Sequence, residues 1–245
     1  MQLHRRALLA GTAAAALCLS SIAKAVTISG ELPWQPNPGE PPPQVKPGPW
    51  QFFTAEEGAA VEVLMDRLIP PDPQWAGAKD AGCAVYLDRQ LAGPYGSSEG
   101  LYMRPPFLDG LPTQGAQSSF TPAARYRASL AALANHVKQG YAGKQIHELP
   151  PETLDQILTG LEKGQIALED NSGKGFFELL LKNTIEGFFA DPCYGGNRDL
   201  VAWRMIGFPG ARYDYRDWVS RHNEKYPLPP VGIYGSPEWA SADKG

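Results

Sequence analysis

The side chains able to carry chemistry are few, and their spacing does not assemble them. The chain holds four histidines, at 4, 136, 147 and 222. No two stand at the separation that lets one helix or turn present both to a metal ion, so they read as satisfied surface or core residues. Gly96-Ser97-Ser98-Glu99-Gly100 fits G-x-S-x-G. That motif needs its serine on a tight strand-to-helix turn, and here it sits in a Pro/Gly loop with no strand before it. The match reads as chance. Glu186, Asp191 and Asp199 cluster in sequence, and two carboxylates can form an acid–base pair. The plainer reading has Asp199 at a helix N-terminus, where negative charge is favoured, and the other two solvated. There is no C-x-x-C-H for covalent haem and no G-x-G-x-x-G for a dinucleotide or flavin. No catalytic residue, cofactor ligand or metal ligand emerges.

Stepping along the chain, residues 1–25 read as an export signal. It has a basic start at His4-Arg5-Arg6, an apolar run from Ala7 to Ile22, and an Ala23-Lys24-Ala25 cleavage pattern. Adjacent Arg5 and Arg6 before a moderately hydrophobic, Ala-rich run favour a twin-arginine signal, which exports folded proteins, over an ordinary Sec signal. Formal charge falls from −4 to −7 when Arg5, Arg6 and Lys24 leave with it. An acidic chain without a long basic run argues against nucleic acid as a partner. Later segments fall short of the ~20 apolar residues that span a bilayer. Cys18 lies inside the signal, leaving Cys83 and Cys193. An oxidising compartment permits them to pair, but sequence does not say whether they come within reach. Two separate buried thiols, or one exposed thiol, are the alternatives.

Residues 26–50 form a proline-rich arm with prolines at 33, 36, 38, 41, 42, 43, 47 and 49, a density that excludes helix. The arm is a plain linker, or Trp34 and Trp50 lay it along a surface. Residues 51–245 carry the helical domain. Thr54 with Glu57 forms a capping box for a helix over 52–69, ended by Pro70-Pro71. A second helix is predicted over 80–91. The stretch from Gly93 to Phe120 is too long for a simple connector and reads as an ordered loop. Thr121-Pro122 starts a helix that ends near Gly140, and Pro150-Pro151 starts another, ended by Gly164. Phe177, Leu180, Leu181, Thr184, Ile185 and Phe188 fall at three-and-four spacing, and Asp191-Pro192 stops that helix. Tyr194-Gly195-Gly196-Asn197 is then a turn, followed by a short helix over 199–206. Tyr213, Tyr215 and Trp218 mark one further turn of helix. No alternating strand pattern of useful length appears, so the fold class is all-α with long irregular loops.

What stands out is aromatic and arginine content that looks exposed: Trp203, Phe208, Tyr213, Tyr215, Trp218, Tyr226, Tyr234 and Trp239, with Arg198, Arg204, Arg212 and Arg216. These types are enriched at protein interfaces. An interaction protein explains them better than an enzyme does.

Three stretches carry a resemblance to a known family. They are Asp66-Arg67-Leu68-Ile69-Pro70; Asp88-Arg89-Gln90-Leu91-Ala92-Gly93-Pro94-Tyr95; and Glu186-Gly187-Phe188-Phe189-Ala190-Asp191-Pro192, running into Tyr194-Gly195-Gly196-Asn197 and Trp203-Arg204-Met205-Ile206-Gly207-Phe208-Pro209-Gly210. Through them, most of residues 50–212 resembles the small (third) subunit of gluconate 2-dehydrogenase and of related membrane-bound, FAD-dependent sugar and sugar-acid dehydrogenases.

The resemblance implies a complex in which an FAD-containing large subunit oxidises the sugar acid and a multi-haem cytochrome c subunit passes electrons towards quinone. The small subunit binds the flavoprotein and carries it through twin-arginine export. FAD and c-type haem would then belong to partner subunits, with none in this chain. The complex would sit on the periplasmic face of the cytoplasmic membrane, held there only through its other subunits. The expected partner-binding residues are Tyr194, Gly195, Gly196, Asn197, Arg198, Trp203 and Arg204. Relatives serve gluconate, 2-ketogluconate, glucose, fructose and sorbitol enzymes; the arm and the long loop favour gluconate. The rival readings are a freestanding exported hydrolase and a ligand-binding helical protein.

Overall fold

The computed structural model describes residues 42–46, 48–108, 110–111, 113, 118–168, 172–212 and 214–235. They belong to one compact unit, Glu40–Gly245. Among them are seven α-helices: α1 (Ala55–Leu68), α2 (Cys83–Ala92), α3 (Pro94–Ser97), α4 (Pro122–Gly140), α5 (Pro151–Glu162), α6 (Gly173–Phe189) and α7 (Val201–Ile206). Isolated bridges, such as Gly210 with Val231, are the only sheet-like pairing found in the described residues. The all-α expectation holds.

Local chemistry sets the boundaries. The Thr54 hydroxyl accepts from the Glu57 amide while the Glu57 carboxylate accepts from the Thr54 amide, closing the capping box of α1. Thr121 accepts from Ala124 above Pro122 at the start of α4, and Ser172 accepts from Gly175 to open α6. Helix α6 is the hub, packing against α1, α2, α4, α5 and α7. Its Leu180 meets a core in which Leu64, Met65, Leu87, Leu133, Ile157 and Leu161 are essentially inaccessible to water. Burying each such side chain stabilises the fold by about 1.5–3 kcal/mol.

Three predicted boundaries move. Helix α1 begins at Ala55 rather than at 52, because the amides of Phe52 and Phe53 go to Asp88 and Thr54 is the extended N-cap. Helix α2 begins at Cys83 rather than at 80, because Gly82 takes φ +82° and a Cβ there would stand 2.6 Å from the Gly195 carbonyl oxygen. Helix α7 begins at Val201 rather than at 199. Asp199 and Leu200 both have φ +57°, so Asp199 is an exposed left-handed residue and not a first-turn carboxylate. Between Gly93 and Phe120, Pro94–Ser97 is helical and Tyr95 is half-buried, but Tyr102, Leu108 and Phe120 are exposed. The predicted turn near Trp218 is a 3-10 turn over Arg216–Trp218; Tyr213 lies outside the described residues. Of the arm, Trp50 packs over Gly58, where no Cβ could fit beside the indole.

Candidate functional site

The site grows from the end of α6. Asp191 takes over where the helix stops, its carboxylate accepting from the Cys193 amide at 2.9 Å to start a 3-10 turn over Pro192–Tyr194. Gly195 then turns at φ +98°, and Asn197 follows at φ +45°. Asn197 is inaccessible to water and bonds on both sides. Its amide nitrogen donates to the Ala190 carbonyl at the end of α6, and its carbonyl accepts from the Ala202 amide at the start of α7, each at 2.9 Å. One side chain therefore staples the end of one helix to the start of the next. Gly196 lies so close to Gly187 on α6 that a Cβ would overlap the Gly187 carbonyl, which requires glycine there. The Arg198 amide donates to Ala81, tying the turn to the loop before α2.

Two outlying segments close over this turn. From the arm, the Val45 amide donates to the Cys193 carbonyl at 2.8 Å. From the C-terminal side, the Ile233 amide donates to the second oxygen of Asp191 at 2.7 Å, and the Tyr234 hydroxyl donates to the Pro42 carbonyl at 2.7 Å. Between them lies a cavity of about 380 Å³ edged by Val45, Asp191, Arg198, Asp199 and Tyr234. Its chemistry is limited. Both Asp191 oxygens are occupied by backbone amides, and Glu186 accepts from Asn183 at 2.8 Å. Neither is arranged as a general acid or base.

The expected partner-binding residues differ in exposure. Gly196, Asn197 and Trp203 are buried; Tyr194, Arg198 and Arg204 are exposed, and Gly195 is half-buried. Trp203 corrects the view of it as an exposed aromatic. It is 7% exposed, its indole N–H donates to the Phe189 carbonyl at 2.9 Å, and its ring meets Phe208 edge-on at 5.0 Å. Tyr215, Trp218 and Tyr226 are likewise half-buried, stacked edge-to-face on one another, whereas Phe208 and Tyr234 are exposed. Trp34, Trp239 and the signal residues Arg5, Arg6, Ala23 and Ala25 lie outside the described residues.

Cys83 and Cys193 are both buried free thiols. Burial pushes each thiol up to about 12, so neither is a nucleophile near neutral pH. Ser98 caps the four-residue α3 in a left-handed conformation, φ +58°, and no strand precedes it; the nucleophile-elbow geometry is absent. His136, His147 and His222 are exposed. Among the described residues, no group of three or more His, Cys, Asp or Glu side chains could hold a metal ion, and no helix is long and apolar enough to cross a membrane.

Two buried polar centres escaped sequence reasoning. Asp88 on α2 is inaccessible to water, accepts from the amides of Gln51, Phe52 and Phe53 at 2.8–2.9 Å, and pairs with Arg89, which also donates to the Pro49 carbonyl. It moors the arm to the helical domain. A carboxylate between the core residues Leu87 and Leu91 was the available signal. Asn183 on α6 gathers the Tyr126 hydroxyl at 2.9 Å, the Tyr95 hydroxyl and Glu186. Burial pushes the Tyr126 phenol well above its ordinary value, so it serves as a neutral donor. Both centres hold elements together.

No curated protein and no solved structure matches the chain. A family model does: gluconate 2-dehydrogenase subunit 3, over residues 55–210. The match runs from the first residue of α1 to the end of the segment after α7 and takes in the helical hub, the Asp88 anchor and the whole glycine turn. With more than half its length so matched, the chain belongs to the gluconate 2-dehydrogenase subunit 3 family.

Proposed function

We propose that this chain is the non-catalytic small subunit of a gluconate 2-dehydrogenase-like complex, converting D-gluconate to 2-dehydro-D-gluconate. In this reading it binds an FAD-containing large subunit and escorts it through twin-arginine export. Electrons leave through FAD and the c-type haems of a cytochrome partner to quinone, on the periplasmic face of the cytoplasmic membrane. Attachment to the membrane comes with those partners. Family membership supports the subunit part of this reading, since the family is by description a subunit of gluconate 2-dehydrogenase.

The observation that carries the reading is how the polar groups of the glycine turn are used. Asp191, Asn197 and the Trp203 indole are all consumed by backbone partners. The turn is a rigid scaffold, and what it offers outward is a set of recognition side chains: Tyr194, Arg198, Arg204, Ile206 and Phe208. Rigid scaffolds presenting aromatic and arginine side chains suit binding.

The test is to purify the tagged full chain from its own membranes and read visible absorbance. Flavin should co-elute, and Arg5→Lys/Arg6→Lys should abolish its appearance on the periplasmic side. A colourless, solitary protein that is still exported would refute the subunit reading.

A further inference from the structure

A second cavity of about 380 Å³ lies beside the glycine turn, between α7 and the segment that follows it. Trp75, Trp203, Phe208 and Tyr226 supply aromatic walls, and Pro227, Pro229 and Pro230 form one side. Arg204 and Lys225 also line it, and none of its lining residues is a carboxylate. That is unusual for its surroundings, because the chain as a whole has a formal charge of −4. Over 201–235 the balance reverses, with five Arg and Lys against three Asp and Glu. Two of those three acids sit against neighbouring arginines, Asp214 with Arg216 and Glu224 with Arg221.

The groove is also built to keep its shape. Arg212 stacks 5.3 Å from the centre of the Tyr226 ring and donates to the Pro229 carbonyl at 2.6 Å. Tyr226 is held edge-on by Trp218 at 4.9 Å. Trp203 is fixed by its bond to Phe189. Proline walls and locked aromatics lose little conformational freedom when covered, so contact there is not offset by ordering cost. At the edge, Phe208 and Leu228 stay exposed at 44% and 53%.

Resting on the subunit reading above, we infer that this groove docks a segment of the flavin-bearing partner subunit that is acidic and carries apolar or aromatic side chains. The walls would take the apolar side chains, and Arg204 and Lys225 would receive the carboxylates. Charge complementarity selects the sign of the occupant. Concavity selects its kind: a protein segment fills a groove, whereas a bilayer meets apolar surface that projects. The docking surface thereby extends from the exposed Tyr194 and Arg198 of the turn into the cleft beside it.

The experiment is co-purification of the tagged full chain from membranes, scored as flavin absorbance per chain. Wild type is compared with Arg204→Glu/Lys225→Glu, with Trp75→Ala, and with a control reversal on other elements, Lys144→Glu/Lys163→Glu. Far-UV circular dichroism checks that each folds; both groove cations are exposed. The double reversal should lower flavin recovery about tenfold, more steeply at low salt, because rim charges act on encounter and are screened. Trp75→Ala should lower it at every salt concentration, and the control should leave it unchanged. Wild-type flavin recovery in both groove variants overturns the groove as a docking site while leaving the subunit reading intact. A wild-type chain that brings down no flavin overturns both. Sedimentation of wild type, but not of the double reversal, with phosphatidylglycerol vesicles at unchanged flavin recovery would assign the groove to the membrane instead.

Discussion

Replacing Asn197 with alanine removes the staple between α6 and α7, and the structure sets the size of the effect. The Ala202 amide is buried and would lose its Asn197 acceptor, a cost of about 1–3 kcal/mol. The Ala190 carbonyl would lose a donor, worth about 1 kcal/mol. Alanine held at φ +45° adds roughly 1 kcal/mol of left-handed strain that asparagine tolerates better. Together these come to about 3–5 kcal/mol, or roughly 10 °C in Tm for a chain of this size. The series Asn197→Ala, Asn197→Gly and Asn197→Asp separates the contributions by thermal circular dichroism of the signal-free protein. Glycine loses both bonds but not the backbone preference, so it should melt roughly 3 °C above alanine. Aspartate keeps the acceptor for Ala202 and should fall between alanine and wild type. An alanine variant melting within ~2 °C of wild type would refute the staple. Equal melting of alanine and glycine would refute the strain at this residue.

Three further outcomes follow from other parts of the molecule. Asp88→Ala leaves three amides of the 51–53 segment without their acceptor, so it should cost about 3 kcal/mol and open the chain near Pro49 to proteolysis; an unchanged digestion pattern would count against Asp88 as the mooring point. Arg67 donates two hydrogen bonds to Asp155 and holds that carboxyl below its ordinary value. The stabilisation is present above the unfolded carboxylate pKa of about 4 and is lost as pH falls through the lowered folded value. The pair is half-exposed, so Asp155→Asn should cost under ~1 kcal/mol at neutral pH, and the gap to wild type should close in strong acid; a gap constant with pH would detach it from the ion pair. Finally, Cys83 and Cys193 should resist a thiol reagent at pH 8 in the native protein, and both should react at once after unfolding without reductant. Fast native labelling, or fewer than two reactive thiols on unfolding, would contradict the buried free pair.

The sequence discloses what is decided within a few residues. The Thr54/Glu57 box, Thr121-Pro122 and the stop at Asp191-Pro192 all act locally, and each appears where expected. It does not disclose conformations imposed from a distance. Leu200 at φ +57° contradicts its own preference, and only the Asn197 staple and the buried position of its side chain explain why it stays there. Trp203 was misread for a related reason: α7 is six residues long, too short to display a periodic buried face. At the glycine turn, residue types placed a turn at Tyr194–Asn197, but which side chains point outward depends on Gly187, Phe189 and Ala190 of the preceding helix. The second groove was illegible because Trp75 and Tyr226, far apart in the chain, build it together.

The hydrogen bond from Tyr234 to Pro42 spans 192 positions, and it has a consequence for the order in which the molecule is completed. A ribosome makes the arm before the seven described helices and the 231–235 segment after them, yet both must be in place before the turn around Asp191 is covered. Every helix can form and pack earlier; the cover cannot. Completion of this one surface therefore reports that synthesis has passed Tyr234. For a protein proposed to leave the cytoplasm already folded and carrying a partner, such a late closure would withhold the finished shape from any chain cut short before Ile233, however well its helices had packed.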